Sequence, residues 1–132
     1  MAYKNVRRGW YVKEDGEKIY LRSGWERNWA AYLDWLVEKG EIKSWEYEPE
    51  EFEFTGIKRG TRFYKPDFRI INNDGGVEYH EVKGRWTQKA QTQVNRFRKY
   101  YSEHRLIVID KEAYKAVEEK KNLIPKWEEM NE

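Results

Sequence analysis

The stretch that decides the fold is PDFRIINNDGGVEYHEVKG, which spans residues 66–84. Residues 62–71 and 77–84 are rich in Phe, Tyr, Ile and Val, a composition typical of β-strands. Between them, residues 72–76 have the sequence Asn-Asn-Asp-Gly-Gly, which is typical of a hairpin loop with a glycine in the left-handed conformation. The sequence therefore predicts an antiparallel β-hairpin centred on this loop.

The loop also predicts which side chains face each other across the hairpin. If Ile71 pairs with Val77, or if the pairing continues one residue further into the loop, Asp67 lies directly opposite Glu81. Directly opposed side chains on an antiparallel pair have Cβ atoms about 4.5–5.5 Å apart. Two carboxylates at that separation repel each other unless a positive charge lies between them. We therefore expect a divalent cation at this position.

The residues that follow Glu81 add two more groups to the predicted site. Because side chains alternate along a strand, Glu81 and Lys83 project from one face, while Val82 points into the core and leaves its carbonyl near the site. His80 is expected on the opposite face, as a packed or surface side chain. Oxygen ligands of this kind suit Mg²⁺ or Mn²⁺ and leave coordination positions for water and a phosphate.

The PDF segment with Asp67, followed by the EVK segment with Glu81 and Lys83, resembles the core motif of the PD-(D/E)XK nuclease superfamily. A second element, RSGWERNWAAYLDWLVEKG at residues 22–40, is similar to the first helix of that fold, which often carries an additional acidic residue. Glu26 is the candidate. The resemblance covers about residues 21–110 and is strongest to small phage and archaeal Holliday junction resolvases and to the phage endonuclease I group.

The resemblance implies a fold, an activity and a set of site residues. The expected fold is α/β, a restriction-endonuclease-like core with a central mixed sheet flanked by helices, formed by one nuclease domain over residues 1–132. The expected activity is DNA phosphodiester hydrolysis with Mg²⁺ or Mn²⁺, by a homodimer that acts on four-way or branched DNA. The implied catalytic residues are Glu26, Asp67, Glu81 and Lys83, and the implied metal ligands are Asp67, Glu81, Glu26 and the Val82 carbonyl.

Other interpretations of these residues stay open at the level of sequence. Ser23 and Glu26 form the pattern of a helix capping box, so Glu26 has a structural role available to it. Asp67 and Glu81 have Arg69 and Lys83 as alternative cross-strand partners. A restriction-type, transposase-type or nicking repair nuclease would share the same core, and a nucleic-acid-binding module that has lost catalysis would share the basic surface.

The rest of the chain has the pattern of alternating strands and helices. We predict, in chain order, an N-terminal hairpin within residues 9–22, a helix from Ser23 to Gly40, strands at 42–47 and 52–55, a turn at 56–60, a helix at 87–101, a strand at 106–109 and a helix at 111–121. The side chains predicted to be buried on the first two helices are Trp25, Trp29, Tyr32, Leu33, Leu36, Val94, Phe97 and Tyr101.

Positive charge flanks the predicted carboxylate site in sequence, although the net charge is only +2. Acidic residues are concentrated in other segments, at residues 46–53 and from 112 onward. This distribution is typical of a surface that binds phosphates around an acidic metal site. The residues predicted to contact DNA are Arg7, Arg8, Lys58, Arg59, Arg62, Lys65, Arg85, Lys89 and Arg96. Trp10 and Trp86 are expected to pack, with stacking on unpaired bases as the alternative.

Composition sets the outer limits on function. The 132 residues are enough for a single core, and they include 7 Trp, 10 Tyr and 5 Phe against a charged fraction of 38%. With no cysteine and two histidines, a disulfide framework, a thiolate zinc site and a histidine-rich metal site are all unexpected. The sequence shows neither a signal peptide nor an apolar run of membrane-spanning length, so we expect a cytoplasmic protein.

Overall fold

The computed structural model describes residues 9–129, which form a mixed α/β fold with a four-stranded mixed sheet and two small hairpin-like sheets. The elements are β1 (Gly9–Val12), β2 (Lys18–Leu21), α1 (Gly24–Glu38), β3 (Ser44–Tyr47), β4 (Phe52–Glu53), β5 (Phe63–Tyr64), β6 (Phe68–Ile71), β7 (Val77–Val82), α2 (Gln88–Tyr100), β8 (Arg105–Ile109), α3 (Lys111–Glu118) and a 3₁₀ turn at Lys121–Leu123. The predicted fold class is confirmed at this level.

The central sheet has the strand order β3-β6-β7-β8. Strand β6 is antiparallel to both β3 and β7, whereas β8 returns through α2 to lie parallel to β7. Parallel neighbours need such a crossover, because a short turn cannot bring the chain back to the same end of the sheet. The sheet is therefore mixed, as the sequence predicted. Strands β1 and β2 form one small sheet, and β4 and β5 form the other.

The hairpin between β6 and β7 has the predicted register. Phe68 pairs with His80 and Ile71 pairs with Val77. Gly75 closes the loop with a φ of 89°, a left-handed conformation that glycine adopts without steric cost. The residue before Phe68 therefore opposes the residue after His80, which places Asp67 opposite Glu81.

One predicted strand is wrong. Residues 62–71 were expected to form a single strand, but they form β5 and β6, which belong to different sheets. The break falls at buried Pro66, which has no N–H to donate to a sheet and therefore interrupts the pairing. This break separates Tyr64 from the central sheet and lets the β4–β5 sheet fold back over the end of the hairpin.

Helix α1 begins at the predicted cap, with one difference in its hydrogen bonds. Ser23 Oγ accepts the Glu26 amide at 3.1 Å, but the Glu26 carboxylate accepts the Arg22 amide rather than that of Ser23. Trp29 and Leu33 are buried against the sheet, as predicted. The other predicted core positions of this helix, Trp25, Tyr32 and Leu36, are partly buried at the edge of the same cluster.

The helices pack on both faces of the central sheet and divide the core in two. Helices α1 and α3 contribute to one cluster, together with Phe68 and Val82 from the sheet. Helix α2 and the β4–β5 sheet form the other cluster on Tyr79 and Leu106. Because side chains alternate along β7, the face that carries Tyr79 also carries Glu81, so the predicted site lies on the α2 side of the sheet.

Phe97 joins three elements in the second cluster. It is fully buried on α2, and its ring centroid lies 4.9 Å from that of Phe52, 5.5 Å from that of Tyr64 and 5.9 Å from that of Tyr79. Aromatic pairs at these distances attract each other beyond the effect of their burial. Phe97 thereby fixes both α2 and the β4–β5 sheet to the central sheet.

Replacing Phe97 with Ala is expected to lower the free energy of unfolding by about 3–5 kcal/mol, because it removes the ring that these three elements share. Urea unfolding followed by circular dichroism measures this change. Lys99→Ala, on the exposed side of the same helix, is the matched control and is expected to cost about 1 kcal/mol or less. Equal losses in the two variants would contradict the assigned packing face.

Candidate functional site

An open cleft of about 310 Å³ lies where β6 begins and β7 ends, beside the β4–β5 sheet. Asp67, Glu81 and Lys83 line it together, as the hairpin register predicted. The other lining residues are Arg22, Glu48, Glu51, Phe63, Tyr64, Lys65 and Gln93. The cleft therefore brings together carboxylates, cations and aromatic side chains from segments that are distant in sequence.

Asp67 is the most constrained carboxylate of the cleft. Only 8% of the residue is exposed, and its Oδ2 accepts the Val82 amide at 2.8 Å. Among residues 9–129, no donor lies within hydrogen-bonding distance of its Oδ1. Burial raises the pKa of Asp67 well above its usual value, and the charges of Glu81 and Glu26 raise it further. The ionised carboxylate is therefore poorly compensated within the folded chain.

Glu81 is equally buried but has more partners. Its Oε1 accepts the Tyr64 hydroxyl at 2.5 Å, and its Oε2 lies 3.3 Å from Lys83 Nζ. Burial raises the pKa of Glu81, while Tyr64 and Lys83 oppose that rise. The pKa of Tyr64 is also raised, first by burial and then by the Glu81 charge, so its hydroxyl keeps the proton that it donates. Tyr64 thereby fixes one oxygen of Glu81.

The alternative cross-strand partners of the two carboxylates are resolved by the structure. Arg69 forms ion pairs at 2.6 Å with Glu46 and Glu50, so its charge is directed away from Asp67. Lys83 contacts Glu81, as the sequence allowed. One ammonium group therefore faces two buried carboxylates, which leaves an excess of negative charge in the cleft.

The donor set fits a hard divalent cation. Because the N–H and C=O of one strand residue point to the same side, the Val82 carbonyl faces the side on which its amide meets Asp67. Residues 9–129 contain no cluster of three or more His, Cys, Asp or Glu side chains arranged to hold a metal. The fit therefore rests on Asp67, Glu81, the Val82 carbonyl and solvent, which suits Mg²⁺ because that ion usually keeps several waters.

Glu26 makes hydrogen bonds at the start of α1 and also lies near Asp67. Its Oε1 accepts the Arg22 amide at 3.2 Å and the Tyr47 hydroxyl at 2.9 Å. Burial raises the pKa of Tyr47, and the Glu26 charge raises it further, so this hydroxyl also stays protonated. Glu26 lies close enough to Asp67 for its charge to raise the Asp67 pKa. Glu26 therefore has both roles that the sequence left open: contacts at the start of the helix and proximity to the candidate site.

Sequence reasoning missed Glu48 and Arg22. Residues 46–53 were expected to lie away from the site, but Glu48 and Glu51 line the cleft. Glu48 has a φ of 45° although it is not glycine, a conformation that costs about 1–3 kcal/mol. Its amide donates to the Asp67 carbonyl at 2.7 Å, and its carboxylate pairs with Arg22. No local pattern marks either residue, because a loop and a helix-start residue meet only in the folded chain.

His80 packs away from the site, as predicted. Its Nδ1 accepts the Trp29 indole N–H at 3.0 Å, and its Nε2 lies 2.9 Å from Glu78 Oε2. It is buried on the α1 face of the sheet, opposite Glu81. Both ring nitrogens have partners, so His80 serves the packing of α1 on the sheet.

Comparison with known proteins places the chain in a family. The family described as Protein of unknown function (DUF1064) matches residues 12–116. The chain belongs to this family. The matched region of this DUF1064 protein runs from the end of β1 into α3 and includes Glu26, Asp67, Glu81 and Lys83. No curated protein matches the sequence.

The basic residues predicted to contact DNA occupy different positions in this DUF1064 protein. Lys65 lines the cleft. Arg96 donates to the Thr61 carbonyl, so it ties α2 to the segment before β5. Five others, Lys58, Arg59, Arg62, Arg85 and Lys89, are exposed. Arg7 and Arg8 lie outside the described residues.

Two further findings concern the surface of this DUF1064 protein. The expectation that Trp10 packs is wrong, because 61% of the residue is exposed, and Trp86 is also exposed. Both tryptophans therefore lie on the protein surface and not in a core.

Within residues 9–129, no helix has the length and apolar character needed to cross a membrane.

Replacing Asp67 with Asn is expected to stabilise the fold when divalent cations are absent. Asn keeps an acceptor for the Val82 amide and removes the buried charge. Because the folded state raises the pKa of Asp67, it holds this proton where the unfolded chain has lost it. Wild-type stability therefore falls as pH rises above about 4. At about pH 7, we expect Asp67→Asn to gain about 1–3 kcal/mol in urea unfolding.

Below about pH 4 the difference between Asp67→Asn and the wild type is expected to vanish, because both side chains are then neutral. Asp74→Asn is the matched control, since Asp74 is exposed in the hairpin loop and its acceptor role toward Gly76 is kept. A wild type more stable than Asp67→Asn at neutral pH would show that the Asp67 carboxylate is fully compensated.

Proposed function

We propose that this protein is a divalent-metal-dependent DNA endonuclease that hydrolyses phosphodiester bonds. One observation carries the proposal. Asp67 and Glu81 are buried carboxylates that oppose each other across a hairpin, and Lys83 lies on the same face in an open cleft. Like charges are seldom buried together unless a cation or a proton is shared between them.

The order of elements supports a restriction-endonuclease-like core. A helix that carries Glu26 precedes the hairpin that carries Asp67 and Glu81, and α2 then leads to the parallel strand β8. This is the order implied by the PD-(D/E)XK resemblance. Helices cover both faces of the sheet, and the carboxylates lie at the end of the hairpin strands where the cleft opens.

The proposed metal ligands are Asp67, Glu81 and the Val82 carbonyl. Glu26, which among the described residues forms no three-carboxylate cluster with Asp67 and Glu81, is proposed to act on the site through its charge. When bound, Mg²⁺ or Mn²⁺ would neutralise charge on the scissile phosphate and lower the pKa of a water molecule. The chain's own residues orient these oxygens. The Val82 amide holds Asp67 Oδ2, and the Tyr64 hydroxyl holds Glu81 Oε1.

Lys83 is proposed to act through its charge. Its Nζ lies 3.3 Å from Glu81 Oε2, within ion-pair distance of one of the two buried carboxylates. A positive group at this point attracts a phosphate oxygen and stabilises the charge that develops as water adds to phosphorus and a P–O bond breaks. A role as general base would require the ammonium to lose its proton first, so the electrostatic role is favoured.

Branched or four-way DNA is the proposed substrate, and a homodimer is the proposed functional unit. Both follow from the resemblance to resolvases, since two symmetric cuts in a junction need two active sites. Cations in and around the cleft support a nucleic-acid substrate, because Arg22 and Lys65 line it. Their contacts with phosphates would make binding weaken steeply as salt concentration rises.

Two alternatives compete with this proposal. A restriction-type, transposase-type or nicking nuclease would use the same core and differ in substrate. A binding module without catalysis would keep the basic surface, but buried carboxylates repel phosphate and destabilise the fold in the absence of a cation. The retained Asp67 and Glu81 therefore favour an active enzyme.

Single substitutions at the site are expected to separate cleavage from binding. Asp67→Asn, Glu81→Gln and Lys83→Ala are each expected to lower Mg²⁺-dependent cleavage of DNA by about 100-fold or more, because each removes a group that stabilises the transition state. DNA binding in EDTA is expected to stay near the wild-type level. Gel-based cleavage assays and fluorescence anisotropy measure the two properties.

Glu51→Gln is the matched control for these variants, since Glu51 lines the same cleft but is exposed. It removes one negative charge without touching the opposed carboxylates, so we expect a change of less than about threefold in cleavage. If Asp67→Asn, Glu81→Gln or Lys83→Ala cleaves DNA at the wild-type rate, the proposed active site is wrong.

A panel of DNA substrates tests the proposed selectivity. Cleavage of a four-way junction, a flap, a nicked duplex and a linear duplex is compared at one salt concentration, because affinities at different salt concentrations are not comparable. We expect the branched substrates to be cut at least about tenfold faster than the linear duplex, a difference of about 1.4 kcal/mol. Equal rates on all four would reject selectivity for branches.

A further inference from the structure

We propose that the outward face of the N-terminal hairpin stacks on unpaired DNA bases next to the cleft. This hairpin face consists of Trp10, Val12, Lys18 and Tyr20. The inference rests on the proposed nuclease function and adds the substrate class to it: DNA with an unpaired segment beside the cleavage site.

The hairpin face is unusual for a small sheet that packs on a core. Tyr11 and Leu21 point inward and are buried, whereas 61% of Trp10, 50% of Val12 and 47% of Tyr20 are exposed. An antiparallel sheet with one solvated face normally carries polar residues there. The two exposed aromatic side chains on this face are free to contact a planar ligand.

The two aromatic rings are held in a defined arrangement. Trp10 pairs with Tyr20 across the strands, and their ring centroids lie 5.5 Å apart at an angle of 78°. This edge-to-face contact fixes the indole without burying it. Lys18 Nζ lies 5.4 Å from the Trp10 ring centroid, so a cation accompanies the rings. Aromatic rings with an adjacent cation are the combination that binds single-stranded nucleic acid, base by base.

The hairpin face lies next to the cleft along the chain. Arg22 directly follows Leu21, the last residue of β2. Arg22 lines the cleft and pairs there with Glu48. Two residues of extended chain span about 7 Å, so the Tyr20 end of the hairpin face lies near the edge of the cleft that Arg22 forms.

The size of the hairpin face decides between DNA bases and a second copy of the chain. Two strands of four residues cover about 13 Å by 10 Å, or about 130 Å², whereas a stable protein interface needs about 800 Å² on each partner. One or two bases fit this area. Bases inside a duplex already stack on their neighbours, so only unpaired bases have a free ring face.

Binding measured in EDTA tests the inference without cleavage. Fluorescence anisotropy gives the affinity of the full chain for a labelled single-stranded oligonucleotide and for a duplex at one salt concentration. Trp10→Ala is expected to weaken single-strand binding by about 5- to 100-fold, the range for loss of one stacked base. Trp10→Phe is expected to restore most of the affinity, and duplex binding is expected to change by less than about twofold.

Leu123→Ala is the matched control, because Leu123 is 64% exposed but lies in the 3₁₀ turn and not on the hairpin. It is expected to bind both DNAs like the wild type, and melting curves confirm that each variant is folded. Wild-type affinity of folded Trp10→Ala for the single strand would overturn the inference. Parallel loss of single-strand and duplex affinity would also overturn it.

Cleavage with Mg²⁺ separates this inference from the proposed function. Trp10→Ala is expected to slow cleavage of a flap by about 5-fold or more and to leave cleavage of a linear duplex unchanged. If the wild type cuts none of these DNAs, the proposed nuclease function fails, while the binding comparison in EDTA still decides whether the hairpin face stacks on bases. If the wild type cuts both and Trp10→Ala cuts them at wild-type rates, the role in substrate selection is wrong.

Discussion

Two carboxylates that repel each other are buried in this fold, and the contacts around them are arranged to hold them there. Asp67 and Glu81 oppose each other across a hairpin, and burial raises the pKa of both. A fold bears such an arrangement only if other interactions offset it or a cation relieves it. The contacts around the cleft partly offset this repulsion. The Val82 amide donates to Asp67, and Tyr64 and Lys83 contact Glu81.

The aromatic residues link stability to the proposed chemistry. Phe97 fixes the β4–β5 sheet, and that sheet places the Tyr64 hydroxyl on Glu81. On the other side of the sheet, Tyr47 makes the equivalent contact with Glu26. The buried Tyr64 and the partly buried Tyr47 each hold a carboxylate oxygen in place. A site whose ligands are held in this way can meet a metal and a phosphate without rearranging. The core therefore supports the site directly.

The family to which this chain belongs is described only as of unknown function. The proposed function therefore rests on the geometry and charge of the cleft. The cleft supplies the groups for the proposed hydrolysis of a phosphodiester, and the hairpin face is the proposed contact for unpaired bases. Between them lies the Arg22–Glu48 ion pair, with Glu48 in a strained backbone conformation. Strain of this kind persists where surrounding contacts enforce it, and it is concentrated at functional sites.

The hairpin register could be predicted from residues 66–84 alone, because turn chemistry at residues 72–76 and the two-residue period of a strand are local properties. The capped first helix, the mixed sheet and the shared face of Glu81 and Lys83 were predicted in the same way. The groups that complete the cleft could not be predicted from local sequence. Tyr64 lies in the cleft because Pro66 breaks the predicted strand, and Glu48 lies there because a loop carries it to the cleft. These positions depend on packing between distant segments, which leaves no periodic signal in the sequence.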